Sequence, residues 1–541
     1  GGSQRSVHRQ ARLIMPYPLF IAFNTKKEPP TRVLWSDTSR GLNIEAEGMD
    51  LGAKHVADCM NVDWLPGGGW QQRGAVTSIT TDAMSAEITK MILFTTKEDQ
   101  AYLVAFGSNF ARYLSSPGTA TSSLFTGLTG PFDACEVNYR LYISNGTDAV
   151  RWWDGTNAIA TLTTNWNSDY TTPGNGNFPK CKFMAVWHGR AWALHTKEGS
   201  DVHGCRVRSS HPLKNGSGEQ DWKELDYNDL DLGKDGGNIT GCKVAGAGFY
   251  IFKNHHVYEV TGWDWDTSGS NLFTFTPLDT KVGAVSSRAI VGHGSDVYFW
   301  DARAGACRIT ENTNTMARDM YVERLMAPID GLLKLKRIPD SRMNEVAVGV
   351  VGDRIHYTVP WDDGSKRTLV FDTLLGTWTI YDIAMSAYED FRPTVGTAYF
   401  VGADTHASHL VALGREDQDR DVFSSSETAD IASYVVSPWL HGDDPSSMKN
   451  WSCMDIFADC EGSFDVSVAK NWDRDGSSTV SNQTVGSAGP IDHGGVSGMR
   501  VPGRPEARSI SLRIAAAGPS PFKRYKVYGI SAKFELSDRK C

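Results

Sequence analysis

The chain has 541 residues, 40% of them apolar and 22% charged, enough apolar content to bury a core and too little bias for wholesale disorder. Its formal charge of −9 excludes a global basic field, and with it a protein dedicated to coating DNA or RNA. The 53 glycines follow no three-residue period, which removes collagen-like and low-complexity readings.

Residues 1–50 read as an N-terminal arm and first strands. Its apolar stretch Leu13–Phe23 is interrupted by Pro16 and Pro18, is too short to span a bilayer, and lacks the cleavage pattern of a secretory signal. From 51 to about 425, short runs of Val, Ile, Tyr, Trp, Phe and Thr alternate with Gly, Asn and Asp, the signature of an all-β chain. The runs share a plan: an apolar strand, a turn, an aromatic-rich strand, then Asp or Asn with Gly. Met91–Phe94 before Ala101–Gly107, Arg140–Gly146 before Val150–Gly155, and Met184–Gly189 before Arg190–Leu194 follow it. So do Lys243–Gly246 before Phe249–Phe252, Ala289–Gly292 before Asp296–Asp301, Val346–Val351 before Arg354–Val359, and Ala398–Gly402 before Leu410–Gly414. One such unit cannot cover both faces of its sheet, whereas units ringed face to face do so and leave only short edges. The expectation is a β-propeller of about six to eight blades; a set of β-sandwiches is the other arrangement this pattern permits.

Three segments stand apart. The apolar spacing of 316–337 predicts two short helices or turns joined at Ala327–Pro328. The stretches Thr163–Phe178 and Gly199–Asp221 read as long polar loops, and 221–235 carries six acids against two lysines. After residue 424 the pattern changes to strict alternation, so 430–541 is expected to form a separate β-sandwich-like domain. The final stretch 499–541 carries +7 and the remainder −16, consistent with a strand-rich end with solvated basic edges.

Chemical motifs are weak. The nine cysteines occur singly with no C-x-x-C, so they read as buried thiols rather than a disulfide framework or zinc site. His255 and His256, placed on a strand, would point to opposite faces and could not share a metal. Asp473–Ser477 begins like a calcium loop, but Thr484 stands where the final Glu belongs. No G-x-S-x-G or G-x-x-x-x-G-K-[ST] motif occurs. Pro66-Gly67-Gly68-Gly69 reads as a tight hairpin turn rather than a phosphate loop. Asp372…Gly376-Thr377-Trp378 only approximates a sialidase box, and the strand tryptophans (Trp152, Trp153, Trp187, Trp192, Trp263, Trp265, Trp300, Trp378) read as ladders between blades before they read as sugar platforms. No catalytic, cofactor-binding or metal-ligating residue is nominated, no cofactor is implied, and the chain is expected not to be an enzyme.

The run Ala57-Asp58-Cys59-Met60-Asn61-Val62-Asp63-Trp64-Leu65-Pro66-Gly67-Gly68-Gly69-Trp70-Gln71-Gln72-Arg73-Gly74 resembles the opening of tail propeller proteins of double-stranded DNA bacteriophages. Val297–Asp301…Gly305…Arg308-Ile309-Thr310 and Val370–Thr373…Gly376-Thr377-Trp378 are similar to the blade hairpins of that family. The pattern, spread over about 41–536, is most similar to the tail nozzle (tail tubular protein B-like) proteins of short-tailed phages. The resemblance implies a structural virion protein: a homo-oligomeric, commonly six-membered ring around the DNA exit channel, with an adaptor above and fibres or a needle beside or below. It implies assembly in the host cytoplasm into the virion tail, and transient passage of viral DNA without sequence-specific binding. Six copies at −9 each carry −54, which suits a conduit that repels phosphate. Two other functions fit a propeller. A glycan-binding or glycan-cleaving propeller would recognise the host surface, cleavage requiring two carboxylates about 5–9 Å apart. A cellular scaffold would bind peptides, though the 57–74 run speaks against it. Interface regions are expected in the arm, the two long loops and 316–337.

Overall fold

Every hairpin read from the sequence between residues 90 and 415 closes on a turn where the chain must reverse, and the resulting sheets form a seven-bladed β-propeller. The computed structural model describes residues 31–536 apart from 46–50, 53, 163–178, 211–221, 223–226, 231–236, 263–272, 312–319, 336–337, 406–407, 417, 419, 442–446, 460–462, 472–478, 485–495, 501–505 and 518–524. The expected loop Thr163–Phe178, most of the acidic run, Trp263, Trp265 and the Asp473–Ser477 loop therefore lie outside the described residues.

Six blades are antiparallel meanders of four consecutive strands, beginning with Lys90–Thr95, Asp133–Val137, Lys180–Trp187, Ile239–Ala245, Ile290–His293 and Ala347–Val351. These first strands stand side by side around the axis. The first strand of blade 7, Met385–Phe391, adjoins both Ala347–Val351 and Lys90–Thr95, which closes the ring. Blade 7 takes two more strands from its own hairpin, Tyr399–Asp404 and Leu410–Arg415, and its fourth, Ala75–Ser78, from the other end of the chain. Arg420–Val422 then lies parallel to Ala75–Ser78 and pairs with Thr428–Asp430 at the rim.

Aromatic side chains cement neighbouring blades, as expected for Trp153, Trp187, Trp192, Trp300 and Trp378, all buried. Trp153 sits among Phe94, Tyr102 and Tyr113 with centroids 4.8–5.6 Å away, joining blades 1 and 2. Trp187 and Trp192 of blade 3 meet Phe249 and Phe273 of blade 4. Such pairs contribute about 0.5–1.5 kcal/mol each beyond their buried area. A common turn closes two hairpins. Asp301 Oδ1 accepts from the Arg303 and Ala304 amides before Gly305, and Asp372 Oδ1 accepts from Leu374 and Leu375 before Gly376. Gly305 and Gly376 both take positive φ (73° and 66°), which ordinary side chains avoid.

The C-terminal strands form two sheets, but not a separate unit. One sheet runs Asp58–Met60, Tyr434–Val436, Ser509–Ala517, Ser463–Asn471, Thr479–Thr484. The other runs Val496–Arg500, Lys449–Asp459, Lys526–Leu536, Trp70–Gln72, Val62–Trp64, with Thr31–Trp35 also on Lys526–Leu536. The strands Thr31–Trp35, Asp58–Met60, Val62–Trp64 and Trp70–Gln72 thus belong to these sheets and not to an arm or to the propeller, while Gly41–Leu42 and His55–Val56 pair in parallel as a small sheet of their own. The cause is packing: Trp35, Trp64, Trp70, Trp451 and Phe534 share one continuous core with Tyr357 and Trp378 of blade 6, so neither part ends in a finished apolar face.

Two local expectations also need correction. Met320–Arg324 is the outer strand of blade 5, paired with Gly305–Glu311; Met320 and Val322 fit a period of two, and among the described residues of 316–337 only 327–335 is helical. Within the expected loop Gly199–Asp221, Asp201–Ser209 is a strand of blade 3. His255 and His256 occupy the turn between Gly248–Lys253 and Val257–Thr261 rather than a strand.

The Pro66–Gly69 hairpin turn is as expected, and it is tight. A Cβ on Gly69, at φ 78°, would lie 2.1 Å from the Val527 carbonyl oxygen. Gly69→Ala is therefore expected to lower stability by about 1–3 kcal/mol, read as a reduced urea midpoint; an unchanged midpoint would show that the close approach to Val527 is not retained in solution.

Candidate functional site

Two places concentrate polar chemistry. The first is the knot made by the 57–74 run. Asn61, itself at φ 55°, donates from Nδ2 to Ala432 O at 2.6 Å and accepts on Oδ1 from Asp382 N and Arg73 Nε. Arg73, 1% exposed at its side chain, forks onto Asp421 at 2.9 and 2.5 Å and reaches Asp382 at 3.2 Å. Burial opposes its charge, but Asp421 and Asp382 outweigh burial and hold the guanidinium ionised. Asp421 also accepts the Val76 amide, so the same carboxylate anchors the strand that completes blade 7.

A second cluster adjoins it. Asp63 takes a short hydrogen bond from Tyr381 Oη and a 2.9 Å ion pair from Arg354. His356 lies edge-on to Tyr381 and Tyr388; burial first, then the nearby Arg354 and Arg73 charges, push its pKa down to about 3. Trp64 Nε1 donates to Trp378 O and Thr379 Oγ1 to Val62 O, which fastens the run to the last strand of blade 6. This arrangement positions backbone and buries the Arg73–Asp421 pair, with Asp382 at its solvent-facing edge.

The second place is an axial cavity of about 410 Å³. Thr89–Met91 of blade 1, Lys243 of blade 4, 287–288 and 290–293 of blade 5, 348–350 and Gly352 of blade 6, and 387–390 of blade 7 line it, with Phe400. Lys90 is tied to Asp133, which also accepts the Met184 amide at 2.8 Å. Burial pushes the Lys243 pKa down and the Glu389 pKa up, each group's charge being favoured by the other's. Glu389 and Asp390 are consecutive on one strand and so point to opposite faces, and Asp390 is held by Arg392 at 2.8 Å; they do not form the facing pair that sugar cleavage needs.

No residue was nominated from sequence as catalytic; of the expected interface regions, the first 50 residues meet the 316–337 segment where Ile44 N donates to the Pro328 carbonyl at 2.9 Å. Asp229, the described acid of the 221–235 run, pairs with Arg206 at 2.9 Å. Among the described residues no group of three or more His, Cys, Asp or Glu could hold a metal, and the described cysteines Cys59, Cys135, Cys181, Cys205, Cys242 and Cys307 are free thiols. No described helix is long and apolar enough to cross a membrane. Sequence reasoning missed Lys243 and Glu389 because they lie in strands of different blades with no motif to join them; Arg73 lay inside the 57–74 run without a sign of its partners.

No protein-family model matches the chain, and no curated protein matches it. Among solved structures it is similar to YCF48 from Cyanidioschyzon merolae, at 12% identity over 63% of this chain and 98% of that one, with a TM-score of 0.36. It is also similar to the extracellular domain of the hybrid two-component system BT4673 from B. thetaiotaomicron, at 8% over 83% and 63% with a TM-score of 0.38. The WD40 domain of SCAP from fission yeast matches at 9% over 66% and 93% with a TM-score of 0.31. The fold rests on the strand pairing itself.

Proposed function

We propose that this chain is a non-enzymatic structural subunit of a bacteriophage tail, joined with copies of itself into a nozzle-like ring around the DNA exit channel. The observation that supports the reading is the fate of the 57–74 run. The residues that carry the family resemblance are those that lock propeller to sandwich: Asp58–Met60 in one sheet, Val62–Trp64 and Trp70–Gln72 in the other, Arg73 on Asp421 and Asp382, then Ala75–Ser78 closing the ring of blades. A part that must transmit load without yielding gains from such cross-tying.

In this reading the DNA runs outside the propeller's own axis. The first strands of neighbouring blades touch around the axis, and the cavity there is about 410 Å³. A duplex whose major groove alone is about 12 Å wide cannot thread it, so the conduit lies between copies, walled by the outer surfaces of acidic protomers. In this reading an adaptor sits above the ring and fibres or a needle beside or below, within the virion tail.

Native mass measurement and low-resolution imaging of the purified chain are expected to show closed rings, six copies being the number the resemblance implies. Fluorescence anisotropy with a short duplex is expected to show no binding at physiological salt. A monomer that persists at high concentration, or tight DNA binding at that salt, would overturn the proposal.

A further inference from the structure

The axial cavity is built in a way that the role of a passive ring does not use. It lies within the size range of small-molecule sites, about 300–1,000 Å³. Its apolar lining comes from Ile290, Val291, Val348 and Val350. The polar lining carries several charges, and most are already satisfied: Lys90 by Asp133, Arg288 by the Asn344 carbonyl and Glu87, Asp390 by Arg392. Two remain. Among the described residues no hydrogen bond or ion pair holds Lys243 Nζ, and Glu389 receives only the amide of its neighbour Asp390 at 3.2 Å. The two come from blades 4 and 7 and do not form an ion pair with each other, although each is the foremost opposite charge felt by the other. Both side chains are partly exposed to the cavity, and each is rooted on a first strand of the ring, Ile239–Ala245 for Lys243 and Met385–Phe391 for Glu389. The Lys243 stem passes Gly292, where an added Cβ would come within 3.4 Å of its Cε.

We propose that the axial cavity binds a small carboxylic acid bearing a hydroxyl or ammonium group on the adjacent carbon, its carboxylate on Lys243 Nζ and that second group on the Glu389 carboxyl. The aliphatic wall receives the remainder of the molecule. A charge-assisted hydrogen bond to Lys243 supplies the anchor, and Glu389 supplies selectivity because a ligand lacking the second group leaves it unsatisfied. Burial raises the Glu389 pKa and lowers that of Lys243, and a ligand carboxylate would favour the charged form of Lys243.

The test uses the full chain and isothermal titration with four probes: L-leucine, 2-hydroxy-4-methylpentanoate, 4-methylpentanoate and leucinol. Leucine and the hydroxy acid are expected to bind saturably at one site per chain, 4-methylpentanoate at least about tenfold more weakly, and leucinol not at all. Lys243→Met should weaken both acids by about tenfold or more, whereas Lys243→Arg should retain them in part. Glu389→Gln should narrow the gap between the hydroxy acid and 4-methylpentanoate. Absence of saturable binding by either acid, or binding unchanged in Lys243→Met, overturns the proposal. Should Lys243→Met fail to fold, carbamylation of Lys243 by cyanate in the parent chain, read by peptide mass spectrometry, is expected to slow at least about tenfold with saturating leucine; labelling indifferent to leucine likewise overturns it.

Discussion

Arg73→Met is expected to destabilise the protein by about 3–5 kcal/mol, the cost of leaving one half of a buried ion pair without the other. Asp421 is 4% exposed and accepts both forks of the guanidinium; without them its remaining partner is the Val76 amide. Asp382, 44% exposed, can rehydrate and adds little to the loss. The damage should be directional. Ala75–Ser78 is the borrowed strand of blade 7, so its amides are expected to exchange with solvent sooner than those of Leu410–Arg415 beside it. Urea unfolding gives the size of the effect and hydrogen exchange its place. A loss under about 1 kcal/mol would mean that Asp421 finds other partners and that the knot is weaker than its geometry implies.

A second large effect is expected from acid. His356 has a folded-state pKa near 3 against 6.5 for the free side chain, because burial and the Arg354 and Arg73 charges disfavour its protonation. The unfolded chain therefore binds the proton first. Stability from this group is complete above pH 6.5 and is lost as pH falls towards 3, amounting to about 2 kcal/mol by pH 5. That interval lies above the titration of Glu345 and Glu198, both held at about 2 in the folded state and contributing losses only below the ordinary carboxylate range. Hydrogen bonding from Arg342 dominates the Glu345 shift; for Glu198, Arg208 overcomes burial. His356→Phe keeps a ring against Tyr381 and Tyr388 and removes the titration. Unfolding midpoints between pH 7.5 and 5 should slope for the parent and flatten by about that amount in the variant; equal slopes would place the effect in other histidines.

The blades were legible in the sequence because each is local. A strand of alternating burial, a turn residue and an aromatic strand lie within one stretch, and hairpins such as Asp301–Gly305 and Asp372–Gly376 announce their turn chemistry directly. What escaped notice is non-local. Nothing in Thr31–Trp35 or Val62–Trp64 names Lys526–Leu536 as the strand with which they share a sheet, so a separate C-terminal domain was the natural expectation. Met320–Arg324 was misread because Met320, Val322 and Leu325 satisfy a helical spacing as well as a strand's, and the choice fell to pairing with Gly305–Glu311. The cavity was invisible for the same reason as the shared sheets. Lys243 and Glu389 are unremarked charges in different blades until the ring brings them to one space.

The shared sheets have a bearing on biosynthesis. A nascent chain leaving the ribosome presents residues 31–78 before blades 1 to 6, yet their partners at 410–436 and 526–536 emerge after those blades. Blades 1 to 6 can form hairpin by hairpin during translation, while the opening segment must wait with unpaired strand edges. A prematurely terminated product therefore keeps a gap in its last blade and a bare apolar core around Trp35, Trp64 and Trp70. Such a product exposes apolar surface to chaperones and proteases, so the opening strands are covered only once 526–536 has been made.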